Sequence, residues 1–130
     1  MGKRISVPLS HLVIMHREIG IHRGRKVGFR GVFGFHTLQD LPFVKLASKV
    51  KDAYDGRDVP SHDGWPDQRE ALRWLVDKGR DAIYALNADK PILVRECHYQ
   101  RYYIKDGHHR LLALYILGDS EIRDAKLKRD

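Results

Sequence analysis

Apolar positions along this chain change period several times, and each change marks an element. Phe43, Leu46, Ala47, Val50 and Tyr54 recur at helical spacing, with Pro42 near the start and Gly56 placed to stop the helix. A polar stretch from Asp55 to Gly64 separates this helix from a longer one opened by Pro66. Asp67 and Glu70 fall in its first turn, where carboxylates complement the helix dipole. Its buried stripe is read as Leu72, Leu75, Val76, Gly79, Ile83 and Leu86, and Trp74 falls off that stripe.

Beyond this helix the period shortens to that of strands. Ile92, Leu93 and Val94 form a short apolar run after Pro91, and Tyr102 and Ile104 alternate with Arg101, Tyr103 and Lys105. Cys97 to Gln100 suits a hairpin loop between them. Leu111 to Leu117 is apolar on nearly every side, the pattern of a buried helix, and Gly118 can end it in the left-handed conformation. Ala125 and Leu127 alternate with Lys126 and Lys128 as a last strand, while Ile5 and Val7 suggest a first one entering a Pro8-Leu9-Ser10 turn. The pattern predicts a mixed α/β (α+β) layer fold in one domain over residues 1–130, a small mixed sheet with packed helices. The strand–helix–strand passage from Tyr102 to Leu127 is expected to be right-handed.

Length changes this picture little: 130 residues can bury enough surface to fold unaided as one unit. No charged-then-apolar leader opens the chain, and the Leu111–Leu117 run is too short to cross a bilayer, so no membrane partner is expected. A single cysteine, Cys97, excludes an internal disulfide, fits a reducing compartment and is read as a small buried apolar group. A cytoplasmic setting is expected; oligomeric state is not read from these residues.

Charge changes the picture more. The net charge of +7 points to anionic partners, and its distribution is uneven. No Asp or Glu occurs between Ile19 and Gln39, whereas Arg23, Arg25, Lys26 and Arg30 do. Gly20, Gly24, Gly28, Gly31 and Gly34 interleave with Phe29, Phe33 and Phe35 in the same stretch. This Gly-rich basic loop, about residues 20–36, suits cations following a nucleic-acid backbone with phenyl rings stacking on bases, or a lid over a nucleotide. The plainer reading is a solvated loop whose phenylalanines pack on the core.

The chemistry concentrates where the Tyr102–Lys105 strand passes through Asp106-Gly107-His108-His109-Arg110 into the apolar helix. A helix start leaves several backbone N–H groups without internal partners and carries partial positive charge. Gly107 permits positive φ and close approach, and Arg110 adds a planar fork that grips phosphate through paired hydrogen bonds. His108 or His109 can donate to a phosphate oxygen or to transferred charge, and Asp106 can hold magnesium or orient a nucleophile. A purely structural reading has Asp106 capping the helix, one histidine bonding a backbone carbonyl and Arg110 in a salt bridge. Adjacent histidines diverge by about 100° on a helix, so no metal site is read from them.

Asp106-Gly107-His108-His109-Arg110, with Ala113 completing a G-x-x-R-x-x-A pattern, resembles the signature segment of the ParB/sulfiredoxin superfamily. Its members include the nucleotide-binding domains of ParB partition proteins, the sulfiredoxins and the ADP-dependent kinases of free serine. The resemblance covers about a third of the chain, chiefly Pro91 to Leu127, and the spelling is closest to the serine kinases. It implies a nucleotide, ATP, ADP or CTP with Mg2+, whose phosphates rest on this turn. His108 stands where sulfiredoxins carry their nucleophilic cysteine, which excludes sulfinic acid repair. No helix-turn-helix reader of the ParB kind follows the motif. The serine kinases also place an essential glutamate after the first strand beside a histidine. Glu18, in His16-Arg17-Glu18, occupies the similar position and is the candidate base.

Three functions follow as expectations. One is a nucleotide-dependent phosphotransferase or NTPase, with Glu18, Asp106 and His108 catalytic and Gly107 to Arg110 on the phosphates. Another is a ParB-like DNA-binding protein or nuclease using the basic loop. The third is a nucleotide switch without turnover.

Overall fold

The computed structural model describes residues 3–15, 29–35 and 39–128. Among them, six strands and five helices surround one hydrophobic core, a mixed α+β fold as the residue pattern predicts. The strands are β1 (Lys3–Pro8), β2 (Leu12–Ile14), β3 (Leu41–Pro42), β4 (Leu93–Glu96), β5 (Tyr102–Asp106) and β6 (Glu121–Leu127), and a 3-10 turn, Leu9–His11, joins β1 to β2. The helices are α1 (Phe29–Val32), α2 (Phe43–Tyr54), α3 (Trp65–Lys78), α4 (Arg80–Asp89) and α5 (His108–Ile116).

The sheet order is β1-β6-β4-β5-β2-β3. β4 runs parallel to β6 but antiparallel to β5, so β5 and β6 are themselves antiparallel and flank β4. The expected right-handed passage from Tyr102 to Leu127 is therefore corrected. The handedness preference governs connections between parallel strands, and this one joins antiparallel strands.

β2, which has no alternation to betray it, lies parallel to β5 in the sheet interior, and Leu12, Val13 and Ile14 are all buried. Strands buried on both faces read as continuous apolar runs. In β6 the buried residues are Ile122 and Ala125, three apart, a spacing that a regular strand would send to opposite faces. The pairing with β1 matches Ile5 to Ala125 and Val7 to Ile122, so β6 carries one extra residue, and Asp124 adopts φ 59° there. This bulge restores both side chains to the core.

α2 matches its predicted face: Phe43, Leu46, Ala47 and Val50 are buried. The longer helix is not continuous. Gly79, at φ 87° and ψ 170°, ends α3 and begins α4, although the apolar stripe runs on through it. Leu72, Leu75 and Ile83 are buried as predicted, whereas Leu86 is exposed because the break re-aims α4. Trp65 rather than Pro66 is the first helical residue and is buried, and Trp74 lies exposed.

Asn87, a buried polar side chain at the end of α4, ties three elements together. Its Oδ1 accepts from Ile92 N–H at 2.8 Å, and its Nδ2 donates to the Asp124 carbonyl at 2.9 Å. α5 ends as expected at Gly118, φ 96°, with Asp119 N–H donating to the Leu114 carbonyl and Gly118 N–H to that of Tyr115. This paired closure is the Schellman pattern. Arg80 reaches across to Asp119 at 2.5 Å, linking the start of α4 to the end of α5. No helix among the described residues is long and apolar enough to cross a membrane.

Candidate functional site

β5 and β2, parallel neighbours, deliver their carboxyl ends to the same edge of the sheet, the place where open α/β sheets form ligand crevices. The β4–β5 pairing there skips one residue: Leu93 faces Asp106 and Val94 faces Ile104, leaving Lys105 as the extra residue. The strand kinks just before Gly107, which stands at φ 103°, ψ 22° in the left-handed region as the N-cap of α5. A side chain is excluded here twice over. Left-handed backbone disfavours any Cβ, and a methyl on Gly107 would sit 2.8 Å from Ile92 Cγ1. The glycine thus answers to Ile92 beneath it, and the close approach expected from the sequence is first of all to this side chain.

Gly107, having no side chain, brings no cap of its own to the start of α5. Leu111 N–H bonds the Gly107 carbonyl at 3.0 Å, and the amides of the turn before it have no partner within the helix. Asp106 is exposed and is not the cap that a purely structural reading gives it. Arg110, half-buried, donates through Nη1 to the Lys90 carbonyl instead of closing on a carboxylate. Burial lowers its pKa and the nearby Asp106 carboxylate opposes that shift. A guanidinium stays charged through such shifts and has further N–H groups to offer.

A cleft of about 370 Å³ opens in front of this turn. Asp106, Gly107, His108, His109 and Arg110 line one side, with Gln68 from α3 and Arg30 from α1. Ile14, Phe29, Phe43, Leu46 and Leu112 form the apolar remainder. Six polar side chains thus converge on an apolar floor, a concave mix suited to a polar, charged small molecule.

Arg30 departs from its predicted surroundings. The sequence groups it with the solvated cations of the basic loop, yet it is only 2 % exposed. Its Nη1 donates to the Met15 carbonyl at 3.0 Å and its Nη2 to that of Gln39. Burial lowers its pKa, with the Asp40 carboxylate acting the other way. The reason is packing: Phe29, Gly31 and Val32 are buried around it in α1, which docks on the core and draws the guanidinium inward. Phe33 stacks edge-on against Trp65 at 5.4 Å, so these phenylalanines pack on the core as the plainer reading has it. Arg23, Arg25, Lys26 and Glu18 lie outside the described residues.

His109 is held from two sides. Its Nε2 lies 2.9 Å from Gln68 Oε1, and its ring sits 4.9 Å from that of Phe29, tilted by 58°. With the proton on Nε2 the imidazole donates to the amide oxygen. Burial, and secondarily His108, lower its pKa from the ordinary 6.5. The folded protein therefore takes up this proton at lower pH than the unfolded chain. Its stability is unaffected above about pH 6.5 and declines as pH falls below that value towards the folded-state pKa. We expect urea midpoints measured between pH 7 and pH 5 to fall less steeply in His109→Gln than in wild type. Parallel pH profiles would dissociate His109 from this dependence.

Sequence reasoning found the Gly107–Arg110 turn and Asp106, and named Phe29 only as one of the loop phenylalanines, but missed Gln68 and the apolar wall. Nothing local marks Gln68, which is a first-turn residue of α3 like many others. Arg30 carried one signal, in that Phe29 before it and Val32 two positions after it are apolar whereas Arg23, Arg25 and Lys26 crowd together. Among the described residues no cluster of three or more His, Cys, Asp or Glu is arranged to hold a metal ion. Cys97 is half-buried at the β4–β5 hairpin, more open than expected. No protein-family model, curated protein or solved structure matches this chain.

Proposed function

We propose that this cleft binds a nucleotide, its phosphates on the Gly107–Arg110 turn and its base or sugar against the apolar wall. One observation carries the reading: a buried guanidinium, that of Arg30, and a half-buried one, that of Arg110, line the same cleft as a helix start whose N-cap is a glycine. Desolvating a cation is costly, and an anion in the cleft adds to the carbonyl contacts that already offset that cost at Arg30 and Arg110. The resemblance of this turn to the phosphate-binding segment of the ParB/sulfiredoxin superfamily supports the same assignment.

Within this reading Arg110 neutralises charge with its fork, and the amides after Gly107 donate to the remaining phosphate oxygens. Asp106, exposed at the rim, is the carboxylate suited to a phosphate-bound magnesium ion. His109, kept neutral by burial, serves as a hydrogen-bond donor and not as a charge. His108 lines the cleft at the helix start, where a donor to transferred charge is useful. Phosphoryl transfer or NTP hydrolysis additionally requires a base, for which Glu18 is the candidate. The DNA-gripping alternative is weakened, because Arg30 is buried and so removed from the cations available to a backbone outside.

Calorimetric titration of the wild-type protein with ATP, ADP and CTP, with and without magnesium, tests the proposal. Saturable binding of at least one nucleotide is the expected result. Absence of binding to all three would overturn it. Product formation in the same mixtures separates a phosphotransferase or NTPase from a switch.

A further inference from the structure

The hairpin at the far end of β5 from the cleft presents a second set of features. β4 and β5 are joined through His98–Arg101, closed by Arg101 N–H donating to the His98 carbonyl at 3.2 Å. Its two central residues are Tyr99 and Gln100, at φ 56° and φ 61°. Positive φ at both central positions is the type I′ requirement, normally met by Asn-Gly. A tyrosine is among the residues least suited to it. The Tyr99 side chain is 95 % exposed, so no burial against the rest of the fold repays the strain. An unfavourable backbone that lifts an aromatic ring into water points to a ligand for the ring.

The surrounding charge says what kind. Register places Lys3, paired with Leu127, and Lys128, bonded to Val94, at the same end of the sheet as Arg101. Arg95 lies over the Tyr103 ring at 5.7 Å, and two grooves flank the hairpin. One is lined by Arg95, His98 and Lys128, the other by His98, Tyr99 and Arg101. Glu96 and Asp40 are the carboxylates among these groove linings. An exposed ring beside Arg101, next to a groove where Arg95 and Lys128 outnumber one carboxylate, suits the stacking of unpaired bases while cations follow the phosphates.

We propose that the β4–β5 hairpin is a contact for single-stranded nucleic acid, with Tyr99 stacking on a base and Arg95, Arg101 and Lys128 facing phosphates. The site is separate from the cleft, since hairpin and cleft lie at opposite ends of β5. Duplex is disfavoured because its bases are already stacked and the ring has no face to cover.

Fluorescence anisotropy with a labelled oligodeoxythymidine, the matching oligouridine and a duplex of equal length tests this. Wild type should prefer the single strands, and the two strands distinguish DNA from RNA. Tyr99→Ala should weaken single-strand binding by at least about fivefold, given typical base–aromatic stacking energies. Arg101→Ala and Lys128→Ala should each reduce the salt slope by about one. The double variant Tyr99→Asn, Gln100→Gly keeps the turn with residues suited to it. It should lose binding like Tyr99→Ala while melting about 3–6 °C higher than wild type, so lost binding cannot be ascribed to lost fold. Mononucleotide affinity at the cleft should be unchanged in both tyrosine variants. Wild-type affinity in Tyr99→Ala, equal binding of duplex, or no binding of any strand by the wild type would overturn the proposal; the last outcome would indicate a protein partner for the ring.

Discussion

Arg110→Ala is expected to weaken the preferred nucleotide at least about tenfold, because charge-assisted hydrogen bonds contribute about 1.5–3 kcal/mol each and one side chain supplies the fork. Arg110→Lys keeps the charge and loses the planar geometry, so its affinity should fall between those of alanine and wild type. The same side chain also donates to the Lys90 carbonyl, and its removal leaves that acceptor to water. Thermal melts of each variant with saturating nucleotide separate the two effects. A general loss of fold lowers the melting temperature of the free protein, whereas a loss of binding reduces the increment that nucleotide adds. Equal nucleotide affinities for wild type and Arg110→Ala would remove this guanidinium from the site.

Gly107→Ala should be strongly destabilising. The left-handed backbone costs an alanine about 1–2 kcal/mol, and overlap with Ile92 adds an overpacking cost of about 1–3 kcal/mol. The Cβ would lie 2.8 Å from Ile92 Cγ1 and 3.2 Å from Cγ2, both on a side chain that is fully buried and has nowhere to withdraw. Together these take a large share of the 5–15 kcal/mol that typically holds a domain, and a fall in melting temperature of about 10 °C or more is expected. The two contributions can be told apart. Ile92→Ala removes both γ carbons, so its own cost should be smaller in the Gly107→Ala background than in wild type. Additive costs would mean that backbone conformation alone demands the glycine. An unchanged melting temperature in Gly107→Ala would contradict both the turn geometry and the packing beneath it.

Legibility followed the range of the determining interactions. α2 and α5 are written in local periodicity and in glycines just past their ends, so they were readable. α3 and α4 share one continuous stripe, and nothing in the spacing separates a glycine within a helix from one between two helices. That choice is made where the chain must turn for α4 to meet β6 and Asn87 to reach the Asp124 carbonyl. β2 lacks alternation because it is covered on both faces, and β3 is two residues long, too short for any period. The site divides in the same way. Gly107, the helix start and Arg110 are neighbours in sequence, and their chemistry can be read in place. Arg30, Phe29 and Gln68 reach the cleft only through the docking of α1 and α3 on the core. The correction to Arg30 shows the difference: a loop composition predicts a solvated cation, and burial of the residues on either side of it decides otherwise.

Among the described strands β1 comes first in the chain and its neighbour in the sheet, β6, comes last, with Lys3 opposite Leu127 and Pro8 opposite Glu121. Residues separated by most of the chain must meet before either strand is secured, and such distant pairings slow folding. During synthesis Ile5 and Val7 have no strand to join until β6 emerges. A polypeptide halted before residue 121 therefore lacks more than one strand: β1 is stranded, β4 loses its parallel companion, and Asn87 is left without the carbonyl that anchors it. Completion of the sheet therefore waits until residues 121–127 have been made.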